Sequence, residues 1–156
     1  MSTLATASLL AVAALLAGCA SAPGPQTDAC PVCAKPVADG PDVRVVRYGE
    51  SGPGTRYRCF VCPIKEGKTG DVWTLRAESG LDGKWVTFRV AGDRVESDPA
   101  SAVVLALDVV PGAECLDVHR VFVDEDEFRR YVQAHPSLRA AQPLRLADVL
   151  AKERRR

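Results

Sequence analysis

Two short stretches carry the residues best suited to chemistry, Cys30-Pro31-Val32-Cys33 and Cys59-Phe60-Val61-Cys62. Two Cys-x-x-Cys pairs can bring four thiolates onto one ion, and Zn²⁺ in tetrahedral sulfur coordination is the usual occupant of such a set. A two-residue spacer lets the chain curl so that both sulfurs of a pair face the ion while nearby backbone amides donate to them. Pro31 inside the first pair and Pro63 just after the second stiffen the turns, because proline fixes its own φ and restricts its predecessor. Thiolates also suit Cu(I). In an oxidising compartment the same residues have another fate: each pair can be a redox dithiol, or the four can close as structural disulfides.

Cys115 and His119 are the next candidates, through their Cys-x-x-x-His spacing. On a helix the two would share a face. The neighbouring Val118, Val121, Phe122 and Val123 favour a strand instead. There, residues four apart are separated by roughly 13 Å at about 3.3 Å per residue, too far for one ion. Cys115 is therefore expected to be a small buried apolar residue, becoming an accessory thiolate only if the fold carries it beside the four-cysteine site. His119 is expected to be an ordinary polar position, and His135, next to Pro136, a residue at a helix C-terminus.

No enzyme constellation accompanies these residues. There is no Ser/His/Asp arrangement in recognisable context and no phosphate-cradling glycine loop. Asp124-Glu125-Asp126-Glu127 reads as helix cap and dipole residues. A thiol-disulfide oxidoreductase needs its Cys-x-x-Cys at a helix N-terminus after a buried strand, to lower the thiol pKa. Cys30 follows a polar stretch and Cys59 ends a hairpin, so the sequence predicts no enzyme.

The elements that must position the cysteines read as a single α+β domain over residues 29–156, long enough for one modest core. Val43 to Tyr48 and Thr55 to Cys59 are β-rich runs on either side of Gly49-Glu50-Ser51-Gly52-Pro53-Gly54. They predict an N-terminal zinc-ribbon-like β-hairpin with a cysteine knuckle at each end. A unit so small commonly needs its metal for stability. Lys65 to Gly70 reads as a loop. Asp71 to Ala77, Lys84 to Val90 and Arg94 to Ser97 predict an antiparallel meander buried partly on both sides. Ala102 to Val110, the most apolar stretch after the first residues, is expected to be the central strand, turned by Pro111-Gly112 into another strand over Cys115 to Val123. Two C-terminal helices follow. One starts at Asp124 with Glu127 in capping-box position and stops at Pro136; the other runs from Leu144 to Lys152 into a charged fray.

Ahead of the domain, Leu4 to Ala17 is an uncharged, Ala/Leu-rich run, too short for a spanning helix of roughly 20 residues. It ends in Leu16-Ala17-Gly18-Cys19, which resembles the lipobox of bacterial lipoproteins. That resemblance implies a signal peptide over residues 1–18, lipidation of Cys19 and a flexible tether over residues 19–28 rich in Pro, Ser and Ala. Ala20 after the acylated cysteine favours the outer membrane, so the domain is expected to face the periplasm, lipid-anchored. Acidic and basic residues balance, at 20 each, which argues against a nucleic-acid partner.

Cys30 to Val37, Val46-Arg47-Tyr48-Gly49 and Tyr57 to Cys62 together resemble the YHS/TRASH group of heavy-metal-binding modules. More distantly, the lipobox, the early knuckle and the late helix are similar to the accessory copper lipoproteins of nitrous oxide reductase. The resemblance implies a metal-binding role for Cys30, Cys33, Cys59 and Cys62, in metal handling with a metal-receiving or other envelope partner. Where those families commonly carry Gly-Met after the first pair, this chain has Ala34-Lys35, and its one methionine is the first residue. Both points favour a four-cysteine zinc site over copper delivery. Two alternatives stand beside it: an envelope adaptor whose zinc only holds the fold, and a thiol-disulfide oxidoreductase.

Overall fold

The structure, a computed structural model, describes residues 29–67, 72–109 and 114–155. The signal peptide, Cys19, the tether and the Pro111-Gly112 turn lie outside the described residues. The architecture is α+β, as the sequence predicts. Strands β1 (Val43–Arg47), β2 (Thr55–Tyr57), β3 (Val72–Glu78), β4 (Trp85–Ala91) and β5 (Arg94–Asp98) form an antiparallel sheet in the order β2-β1-β3-β4-β5.

Alternation sets which side of this sheet is buried. Val45, Leu75 and Phe88 lie in register across β1, β3 and β4, all essentially inaccessible, with Trp73–Val90 and Ala77–Val86 as the flanking rows. The opposite face is wet, which corrects the expectation of burial on both sides. Trp85, out of phase with Val86 and Phe88, lies on that outer face with the Arg76 guanidinium 4.2 Å above its ring.

The stretch expected to be the central strand is instead β6 (Val103–Ala106), which pairs with β7 (His119–Phe122) in a separate two-stranded sheet. Its unbroken apolar character has a local cause. Ala102 and Val104 pack into the main core, while Val103 and Leu105 pack into a second core with Phe122, Phe128 and Tyr131. A strand between two cores needs no polar face.

The described helices are α1 (Val61–Glu66), α2 (Cys115–Val118), α3 (Glu125–Ala134) and α4 (Leu146–Glu153). Of these, α1 and α4 pack into the main core and α3 into the second. The Lys65 to Gly70 loop is corrected in its first part, since Lys65 and Glu66 belong to α1. Asp124 caps α3 as expected, accepting from the Glu127 amide at 2.8 Å. Glu127 goes further than a capping box. Its fully buried carboxyl accepts from the amides of Leu81, Asp82 and Val123 and so ties α3 to the β3–β4 turn. The expected charged fray is partly docked: Arg154 after α4 pairs with Asp93 and donates to the Gly92 carbonyl at the β4–β5 turn. No described helix is long and apolar enough to cross a membrane.

Candidate metal centre

The first cysteine pair is a tight turn. Cys30 N–H donates to the Lys35 carbonyl and Ala34 N–H to the Cys30 carbonyl, both at 2.9 Å, and an Ala29–Pro36 bridge closes the base. A reversal this sharp needs one left-handed residue, and Ala34 takes it at φ 56°. The backbone then aims its donors at sulfur. The amides of Arg58, Cys33 and Val32 donate to Cys30, and the Lys35 amide donates to Cys33.

The second pair leaves β2 and enters α1. Cys62 N–H donates to the Cys59 carbonyl at 3.2 Å, and Pro63 falls in the first helical turn, where its missing N–H costs no hydrogen bond. Cys59 therefore stands at the start of a helix, not merely at the end of a hairpin. The segment leaving the first pair passes close to the second. At Gly40 a Cβ would come within 2.8 Å of both the Arg58 carbonyl oxygen and a Leu116 methyl carbon, so only glycine fits there.

The β1–β2 hairpin thus brings the pairs together. The sulfurs of Cys30, Cys33 and Cys62 all lie within 4.8 Å of one another, a group that could hold a metal ion. Cys59 is not in that group, yet its Sγ is 3.5 Å from that of Cys62. Cys30, Cys59 and Cys62 are buried and Cys33 is exposed, so the cluster has one side to solvent.

A third segment joins them. The expected strand over Cys115 to Val123 is helical in its first half, as α2, and extended only from His119. This corrects the expected strand and the reading of His119, while Cys115 falls near the cysteines, where the accessory reading placed it. Cys115 is half-buried, near enough to Arg58 and Cys59 for both to act on its thiol. His119 is 5 % exposed with Nδ1 3.4 Å from Cys59 Sγ. Its Nε2–H donates to the Leu107 carbonyl at 2.9 Å, leaving Nδ1 as the lone-pair side facing sulfur. His135 behaves as expected, closing α3 with Nδ1–H donating to the Tyr131 carbonyl.

Comparisons with family models, curated proteins and solved structures give no match. The chemistry therefore rests on the geometry. Burial alone would push the Cys30 thiol up, but the amides of Arg58, Cys33 and Val32 outweigh it and hold the thiol below its ordinary value. Contact with Cys59, together with burial, pushes Cys62 far up, and burial raises Cys33 and Cys115. Crowded thiols cannot all ionise beside one another unless a cation neutralises them. Burial lowers His119 and so favours its neutral, ligating form.

Three charged residues adjoining the cysteines tie the segments together, and sequence reasoning missed them. Glu114, just before Cys115, accepts from Lys35 at 2.8 Å and from Arg58 at 3.2 Å. Arg58 is nearly buried, donates to the Pro36 carbonyl at 2.6 Å, and has its Nε without a hydrogen-bond partner. A fixed guanidinium beside the thiols offsets part of a thiolate charge. The only signal in the sequence is position: each of the three charges is within two residues of a cysteine.

Proposed function

We propose that this chain is a metal-binding lipoprotein of the bacterial envelope, with Zn²⁺ held by Cys30, Cys33, Cys62 and Cys59. The observation that carries the metal is the convergence of the Cys30, Cys33 and Cys62 sulfurs within 4.8 Å, with Cys59 3.5 Å from Cys62. Backbone donors on the Cys30 and Cys33 sulfurs and the buried Arg58 make these groups suited to ionised thiolates rather than inert core thiols. Placement outside the cytosol rests on the Leu16-Ala17-Gly18-Cys19 motif. The knuckle, hairpin, knuckle order supports a zinc-ribbon-like unit, consistent with the heavy-metal modules the sequence resembles. In that setting the chain holds or passes on metal at the membrane surface.

A redox reading keeps one specific support. Cys59 and Cys62 sit at the start of α1, and the thiols of the first pair are shifted in opposite directions. Elemental analysis with free-thiol counting on the exported protein separates the two. Zinc with unoxidised thiols is the expected result. A metal-free protein with paired sulfurs would overturn the proposal in favour of the redox one.

A further inference from the structure

The four sulfurs of the proposed zinc set differ in how readily they can let go. Cys30 and Cys59 are each 1 % exposed and Cys62 6 %, whereas Cys33 is exposed. Residues 31 to 36 are exposed with it, so the first pair is a tip standing out from the core, and Val32 between its cysteines is an apolar side chain left in water. The cleft of about 270 Å³ beside His119 does not reach the sulfurs, since none of the four cysteines lines it.

A thiolate that leaves a cation keeps its negative charge. Released inside the core it would stand there unpaired, while at the surface it is hydrated at once. Burial therefore orders the departures and puts Cys33 first. Its sulfur lies within 4.8 Å of those of both Cys30 and Cys62, so its departure opens one position on an ion that buried ligands still hold. A newcomer at that position must match a thiolate in softness, which oxygen donors do not.

We propose that Cys33 is the exchange ligand of this site, through which the ion is handed to the thiolate of a cysteine-bearing partner protein. The inference rests on the metal-binding reading above and gives it a direction. The exchange balances without redox chemistry. One sulfur–zinc bond forms to the partner as the one to Cys33 breaks, and the proton lost by the incoming thiol is matched by one taken up on Cys33. Pro31 and Val32, both exposed, give the partner an apolar foothold beside the opened position.

The test loads the reduced full chain with one equivalent of Zn²⁺, adds limiting N-ethylmaleimide and maps the modified cysteines by mass spectrometry. Zinc is expected to slow modification at all four relative to the metal-free chain, and to slow Cys33 least. Equal protection of the four overturns the proposal. So does modification of Cys30, Cys59 or Cys62 before Cys33, or a Cys33 that zinc does not protect at all. A second measurement follows zinc transfer to a synthetic Cys-x-x-Cys peptide. The wild-type rate is expected to rise in proportion to peptide concentration, and Cys33→Ala, with the position already open, to transfer faster. A wild-type rate independent of the peptide means that the ion leaves before the acceptor arrives, which overturns the handover while the zinc site stands. A chain that takes up no zinc removes the metal-binding reading itself, and the handover with it.

Discussion

Cys59 Sγ and His119 Nδ1 lie 3.4 Å apart across a sequence separation of 60 residues. A four-residue helical turn, Cys115–Val118, swings His119 to the mouth of β7 just as the hairpin strand β2 delivers Cys59 to α1. The contact joins two packing units, since Cys59 belongs to the main core and β7 reaches from there into the second.

Cys62 faces both Cys30 and Cys59, whereas Cys33 is exposed at the edge of the cluster. Cys62→Ser is therefore expected to cost one equivalent of bound zinc, and Cys33→Ser to weaken binding without abolishing it. At free zinc a hundredfold above Kd, a bound ion stabilises the wild type by about 2.7 kcal/mol. Thermal melts with and without chelator should show that gain in the wild type and not in Cys62→Ser. Equal gains in the two would remove Cys62 from the ligand set.

Ala34 holds a left-handed backbone at φ 56°, a conformation that costs a non-glycine residue about 1–2 kcal/mol. Ala34→Gly relieves it and returns part of the gain as extra entropy in the unfolded chain. We expect a net rise of about 0.5–1 kcal/mol in denaturant titrations and unchanged zinc stoichiometry. A loss of stability would show that the methyl group packs usefully against its neighbours.

Glu114 links Lys35 and Arg58 from beside Cys115, and the hydrogen bond from Lys35 holds its carboxyl below the usual range. Glu114→Gln keeps the shape and removes the charge. Its effect on global stability is expected to be small, because the Lys35 pair is exposed. Zinc lost to a competing chelator should rise in Glu114→Gln, and raising the salt concentration should narrow the difference from wild type. Indistinguishable chelator curves would leave Glu114 with no part in positioning the third segment.

Tyr57 gives an alkaline signature. Burial, reinforced by the Glu66 carboxyl that accepts from its hydroxyl at 2.6 Å, pushes the phenol up to about 12. The folded value lies above the unfolded one near 10, so the contribution is complete below pH 10. It is lost as pH rises towards about 12, because only the unfolded state releases the proton in that window. Stability measured by urea unfolding across this window should fall for wild type, and more gently for Tyr57→Phe. Parallel slopes would assign the alkaline loss to other groups.

Much of the frame was legible in the chain. Alternation in 43–48, 84–90 and 94–97 located three strands of the main sheet to within a residue or two, and Asp124 and Pro136 bracketed α3. Of the sulfurs in the two Cys-x-x-Cys pairs, the fold groups those of Cys30, Cys33 and Cys62 and sets Cys59 beside Cys62 alone. Three features were not legible, each for a physical reason. Helix α1 is six residues long, too short to show a period, and Pro63 reads as a turn unless its place in the first helical turn is known. The apolar run at 102–110 could not reveal that its two faces serve different cores. The β-branched residues after Val118 masked the helical turn before it, and so hid the approach of Cys115 and His119 to Cys59.

The clustered thiols come wholly from residues 30–62, with one hairpin between them. The approach of His119 to Cys59 instead spans 60 residues and needs β6 and β7 paired. One grouping is closed by contacts short in sequence, and the other only by the completed fold.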